Sequence, residues 1–105
     1  MRGWIGVEPR DLTAEIAQAF NLPVSEGVLI TGVMLDSPAM KGGLKPGDVV
    51  LRVAGTPVRS TAELMTAVAA LKPADEAVIG VQRGERALEL RLTVAPRPPM
   101  GRPPR

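Results

Sequence analysis

The chain contains no histidine, cysteine or tyrosine, and Trp4 and Phe20 are its only aromatics. Without His or Cys there can be no Ser-His-Asp triad, no Cys-His pair, no zinc site of the usual ligands and no disulfide. Most familiar hydrolase mechanisms are thereby excluded from it. The shortage of aromatics leaves burial to aliphatic side chains. With 45% hydrophobic residues in a length of 105 and a mean hydropathy of +0.10, there is enough for one packed domain and no room for a second. No run approaches the roughly 18 apolar residues of a membrane span, and the N-terminus lacks the charged-then-apolar layout of a signal peptide. A strand pattern follows Met1 almost at once, as in a domain excised from a longer protein.

The net charge of +2 does not make the chain a nucleic-acid binder, because the excess sits in one place. Residues 1–95 hold ten Lys or Arg against all eleven Asp and Glu, a balance of −1, and the last ten residues add Arg97, Arg102 and Arg105. A near-neutral domain with no basic face and no aromatics to stack on bases excludes nucleic acid as the expected partner.

Trp4-Ile5-Gly6-Val7 reads as a short strand ended by Pro9. Leu12, Ile16, Ala19 and Phe20 then recur at helical spacing, with Asp11 or Thr13 as the N-cap and Asn21 to Pro23 as the stop. Val28 to Met34 is rich in β-branched residues and predicts a second strand. Asp36-Ser37-Pro38 predicts a single helical turn over Ala39 to Lys41, ended by Gly42-Gly43. Lys45-Pro46-Gly47-Asp48 is turn chemistry before a strand from Asp48 to Val53, and Val58 makes a brief return pairing after Gly55-Thr56-Pro57. Ser60 followed by Glu63 has the spacing of a capping box, so a helix is expected from about Thr61 to Leu71, with Leu64, Met65, Val68 and Leu71 on its apolar side. Ala77 to Val81 and Leu88 to Val94 flank Arg83-Gly84-Glu85 as a hairpin. The fold class expected is therefore α+β, a partly open β-barrel or sandwich of about five to six short strands capped by two helices. Residues 1–95 form the domain, and residues 96–105, half of them proline, form a flexible Pro/Arg-rich tail; its Pro96-x-x-Pro99 is a weak match to a polyproline ligand.

Three segments resemble one family. Arg2-Gly3-Trp4-Ile5-Gly6-Val7 is similar to the strand that opens the PDZ domains of HtrA (Deg) serine proteases. Ser37-Pro38-Ala39, followed after three residues by Gly43-Leu44-Lys45-Pro46-Gly47-Asp48-Val49-Val50, resembles the family's long signature in spacing as well as composition. Gly55-Thr56-Pro57-Val58 before a helix is the third match. Gly42 departs from the family's common Ala. The resemblance covers about residues 3–95 and implies a PDZ-like fold, no cofactor and no metal. It also implies a groove in which an extended peptide adds as a strand and presents its C-terminal carboxylate to backbone amides of Gly6 and the Arg2-Gly3-Trp4 turn, with Arg2 as a cation at the rim and Ile5 and Val7 facing the helix across the pocket. Leu64, Met65 and Val68 of the helix form the other wall, with Met65 and Val68 lining the pocket for the last, apolar side chain. On pattern alone both stripes read as ordinary core.

What the resemblance implies in function is a peptide-binding module of a periplasmic or envelope protease. It would recognise hydrophobic C-termini of misfolded or envelope proteins and pass that event to a protease domain outside this chain. The alternative is a non-protease scaffold, such as a secretion-system component, that binds protein partners through the same groove. Ser25, Ser37 and Ser60 and Lys41, Lys45 and Lys72 sit in no supporting motif for a Ser-Lys dyad. Asp48 reads as a tie for its own loop.

Overall fold

The computed structural model describes residues 3–96. The elements run β1 (Gly3–Trp4), β2 (Val7–Asp11), α1 (Ala14–Ala19), β3 (Val28–Val33), α2 (Pro38–Lys41), β4 (Val49–Val53), β5 (Thr56–Pro57), α3 (Thr61–Ala69), β6 (Glu76–Arg83), β7 (Arg86–Thr93) and β8 (Ala95–Pro96). An antiparallel sheet orders its strands β2-β3-β4-β6-β7, with β5 paired on β4, while β1 pairs β8 apart from it. This is the α+β, partly open architecture that the strand and helix signals imply.

Each helix starts where a hydroxyl can accept an amide. Thr13 caps α1 through Ile16 N–H, Ser37 caps α2 through Met40 N–H and Ser60 caps α3 through Glu63 N–H. The Glu63 carboxylate reaches back to the amide of Arg59 at 2.7 Å, so the capping box closes one residue earlier than its usual form. Asp11, a candidate cap for the first helix, ends β2 instead.

The main core lies between the sheet and α3 and is aliphatic: Val28, Ile30, Val50, Leu64, Ile79 and Leu92 are among its buried members. A smaller cluster of Leu12, Ala17 and Val49 sits beneath α1, with Ile16, Leu22 and Leu29 packed on it. The two clusters take alternate residues of β3, Val28 and Ile30 on one side and Leu29 on the other, as a strand covered on both faces requires. Among the described residues no buried side-chain nitrogen or oxygen lacks a hydrogen-bond partner, and no helix is long and apolar enough to cross a membrane.

The strand expected from Trp4 to Val7 is divided. Ile5 and Gly6 belong to neither strand, and Gly6 takes φ +79°, a left-handed value that its lack of a Cβ permits. Nor does Pro9 end the strand; it lies inside β2 opposite Ile30. β2 is an edge strand with only β3 beside it, and an edge accepts proline where the missing N–H faces the open side.

Candidate functional site

The start of β2 is built by two segments far apart in sequence. Ser37 is fully buried; its hydroxyl donates to the Met34 carbonyl at 2.7 Å and accepts from Met40 N–H at 3.2 Å. That fixes the Ser-Pro-Ala turn, whose Ala39 N–H donates to the Ile5 carbonyl at 2.9 Å, and Met34 N–H donates to the Gly6 carbonyl, also at 2.9 Å. In a trans peptide the C=O of one residue and the N–H of the next point in opposite directions. With the Ile5 and Gly6 carbonyls drawn back onto α2 and the end of β3, the amides of Gly6 and Val7 point the other way. Among the described residues, neither Ile5 nor Gly6 N–H has a backbone acceptor. Successive amides aimed this way favour an anion without any charged side chain.

From there β2 runs with one edge unpaired. The bond from Met34 to the Gly6 carbonyl makes that pair a hydrogen-bonded one, and antiparallel pairs alternate, so Val7 turns both its N–H and C=O away from β3. The other wall is α3. Thr61 N–H donates to an Asp11 carboxylate oxygen at 2.6 Å, tying the first turn of the helix to the last residue of β2. The rotation of α3 is set by Leu64 and Val68, which it buries in the core. At 3.6 residues per turn, Met65 and Ala69 share the flank of Thr61, on the β2 side. Glu63, Thr66 and Ala67 occupy the opposite flank, beside Thr56 and Pro57 of β5.

The sequence candidates divide accordingly. Met65 is 50% exposed and stands on the flank toward β2, whereas Leu64 at 0% and Val68 at 5% belong to the core cluster. Ile5 is likewise buried in that cluster and Val7 packs half-buried against it. Trp4 is half-buried and lines a cavity of about 470 Å³ with Pro38, Arg91 and Val94, on the side of α2 and β7. Arg2 lies outside the described residues. Asp11, Ser37 and Ala39 were missed as parts of the site. Asp11 gave a signal that fitted a helix cap equally well, and the backbone donor of Ala39 has no signature in sequence.

The Leu-Lys-Pro-Gly-Asp segment is held by Asp48, which is buried. Arg83 donates to both of its oxygens at 2.8 and 2.7 Å and to the Gly43 carbonyl, and the Lys45 amide donates to it at 3.0 Å. Asp48 thus ties its own loop to the tip of the β6–β7 hairpin. The hydrogen bond with Asp48 pushes the Arg83 guanidinium further up from an already high pKa.

The description "PDZ domain" matches residues 3–94. The chain belongs to the PDZ domain family. Its kin are those of HtrA-type proteases. It is 37% identical over 100 residues to a probable periplasmic serine endoprotease, DegP-like, of Ectopseudomonas mendocina, covering 95% of this chain and 21% of the relative. It is 34% identical over 93 residues to the periplasmic pH-dependent serine endoprotease DegQ of Escherichia coli, covering 89% and 20%. The chain therefore spans about a fifth of the length of these relatives, and their names agree with the periplasmic location that the resemblance implied. Among solved structures, the HtrA-type protease AlgW with decapeptide superposes with a TM-score of 0.85 at 38% identity, over 93% of this chain and 30% of that one. The HtrA3 PDZ domain bound to a phage-derived ligand, FGRWV, superposes with a TM-score of 0.75 at 28% identity, over 89% and 85%.

Proposed function

We propose that this PDZ domain binds the C-terminal ends of polypeptides along β2, with the terminal carboxylate at the Gly6 and Val7 amides and the last side chain over Ile5 and Val7 beside Met65. The observation that carries this reading is the backward anchoring of the Ile5 carbonyl on Ala39 and of the Gly6 carbonyl on Met34, which leaves the amides aimed at the start of an unpaired strand edge. Peptides bound to AlgW and to the HtrA3 domain support it. Leu64 and Val68 act from beneath, as support for the floor, and Met65 supplies the adaptable wall. Trp4 acts through the loop it precedes.

The ligands are exposed hydrophobic C-termini of misfolded or envelope proteins, and in a full-length protein docking is passed to a protease domain, as an activating or tethering event. The isolated chain itself should hydrolyse nothing, because among the described residues no hydroxyl has a positioned base. A short docked strand with one pocket gives affinities on the order of micromolar or weaker.

Trp4, the sole tryptophan, reports the titration. A pentapeptide ending in Val with a free carboxylate should shift its fluorescence saturably, while the same peptide as C-terminal amide should bind at least about tenfold more weakly. Equal affinity of the two forms overturns the assignment.

A further inference from the structure

We infer that Pro9 ends strand addition after the third residue from the ligand's C-terminus, so that this groove reads a short terminal segment and is blind to backbone farther upstream. The inference rests on the peptide-binding reading above. A carboxylate held where β2 begins obliges the ligand to run antiparallel to β2. In an antiparallel pair, hydrogen-bonded positions come at every second residue. The outward positions of β2 are Val7, Pro9 and Asp11. Val7 is outward because Gly6 bonds to Met34. Pro9 is outward because its partner Ile30 sends its own N–H to the Asp48 carbonyl and receives Gly47 N–H on its carbonyl, leaving nothing for Pro9.

With the last ligand residue donating to the Val7 carbonyl, the third residue from the end comes opposite Pro9. There the rung fails on the domain's side. Proline has no N–H for that ligand carbonyl, and its ring carbon occupies the place of the missing hydrogen, so the two backbones cannot close to pairing distance. The remaining donor position, Asp11, lies beyond the obstruction, and its carboxylate is already engaged with Thr61. Ligand residues upstream of the third therefore leave the strand for solvent.

The test uses the whole 105-residue chain, a C-terminal tripeptide ending in Val with a free carboxylate, and a decapeptide that extends it with seven alternating Ala and Ser, so that added affinity can come only from backbone. Wild type should bind the two within about twofold. Pro9→Val, checked for folding by thermal melting, should bind the decapeptide about fivefold or more tighter than the tripeptide, since the rung opposite Asp11, which only the longer peptide can reach once the obstruction is gone, is worth on that order. Pro9→Ala should do the same if Val disturbs the edge. An affinity ratio that is the same in wild type and in both variants, with the tripeptide binding measurably, overturns the inference and leaves Pro9 as a guard against edge pairing. No binding of the tripeptide to any variant overturns the underlying peptide reading as well.

Discussion

Gly6 meets two demands that no other residue satisfies together. Its φ of +79° lies in the left-handed region, and a Cβ there would overlap the Cβ of Ser37. Gly6→Ala should therefore cost about 2 kcal/mol or more of stability and displace the loop amides, so urea unfolding and peptide titration should both respond. A variant that melts like wild type and still binds would separate this glycine from the site. Asp48 is the other residue on which distant parts depend. Asp48→Ala strands the Lys45 amide and a guanidinium that was doubly bound, and about 2 kcal/mol should be lost even with Arg83 partly exposed; Asp48→Asn should lose less, because it still accepts from Lys45. Asp48 was legible in the sequence as a tie for its own loop. Its partner was not, because an arginine 35 residues away at a hairpin tip has the signature of an ordinary solvated turn.

The clamp between β2 and α3 rests on a titratable acceptor, the Asp11 carboxylate. The Thr61 amide, then its side chain, hold the Asp11 carboxyl below its ordinary pKa. A carboxyl lowered on folding supports the native arrangement above its unfolded pKa and withdraws that support as the pH falls through the folded value. The clamp is thus intact at neutral pH and loosens below roughly pH 4. Hydrogen exchange at Thr61, corrected for its intrinsic pH dependence, should accelerate across that window in wild type and stay flat in Asp11→Asn, whose amide oxygen accepts at every pH; identical profiles would remove Asp11 from the clamp. On α3 itself, Met65→Glu should leave the melting temperature near wild type and weaken an apolar-ended peptide at least about tenfold, whereas Val68→Glu should unfold the domain by burying a charge. A folded Val68→Glu would show that α3 is rotated from the orientation described. The helix starts were legible because caps are local chemistry. Which flank faced the groove was not, since it depends on the distant strands, β2 and β5, that pack beside the helix.

The fold as a whole was readable to the extent that it rests on short-range signals: the Ser-Pro turn, the capping box, the hairpin at Gly84-Glu85. The division of Trp4 to Val7 into β1, a loop and β2 was hidden, because it comes from pairings with Ala95, Ala39 and Met34 that no local pattern announces. One of those pairings has a mechanical consequence. Gly3 pairs with Pro96 and Trp4 with Ala95, so the chain enters and leaves the domain side by side through a two-residue ribbon. Tension applied to the two ends loads that ribbon as a zipper, one rung at a time, before any force reaches the six-stranded sheet. In an optical trap, the first extension should come at low force and cover only the few residues of β1 and β8. Because Ile5 and Gly6 follow β1 directly, a domain stretched that far should release its peptide while its sheet is still folded, which would make grip depend on pull.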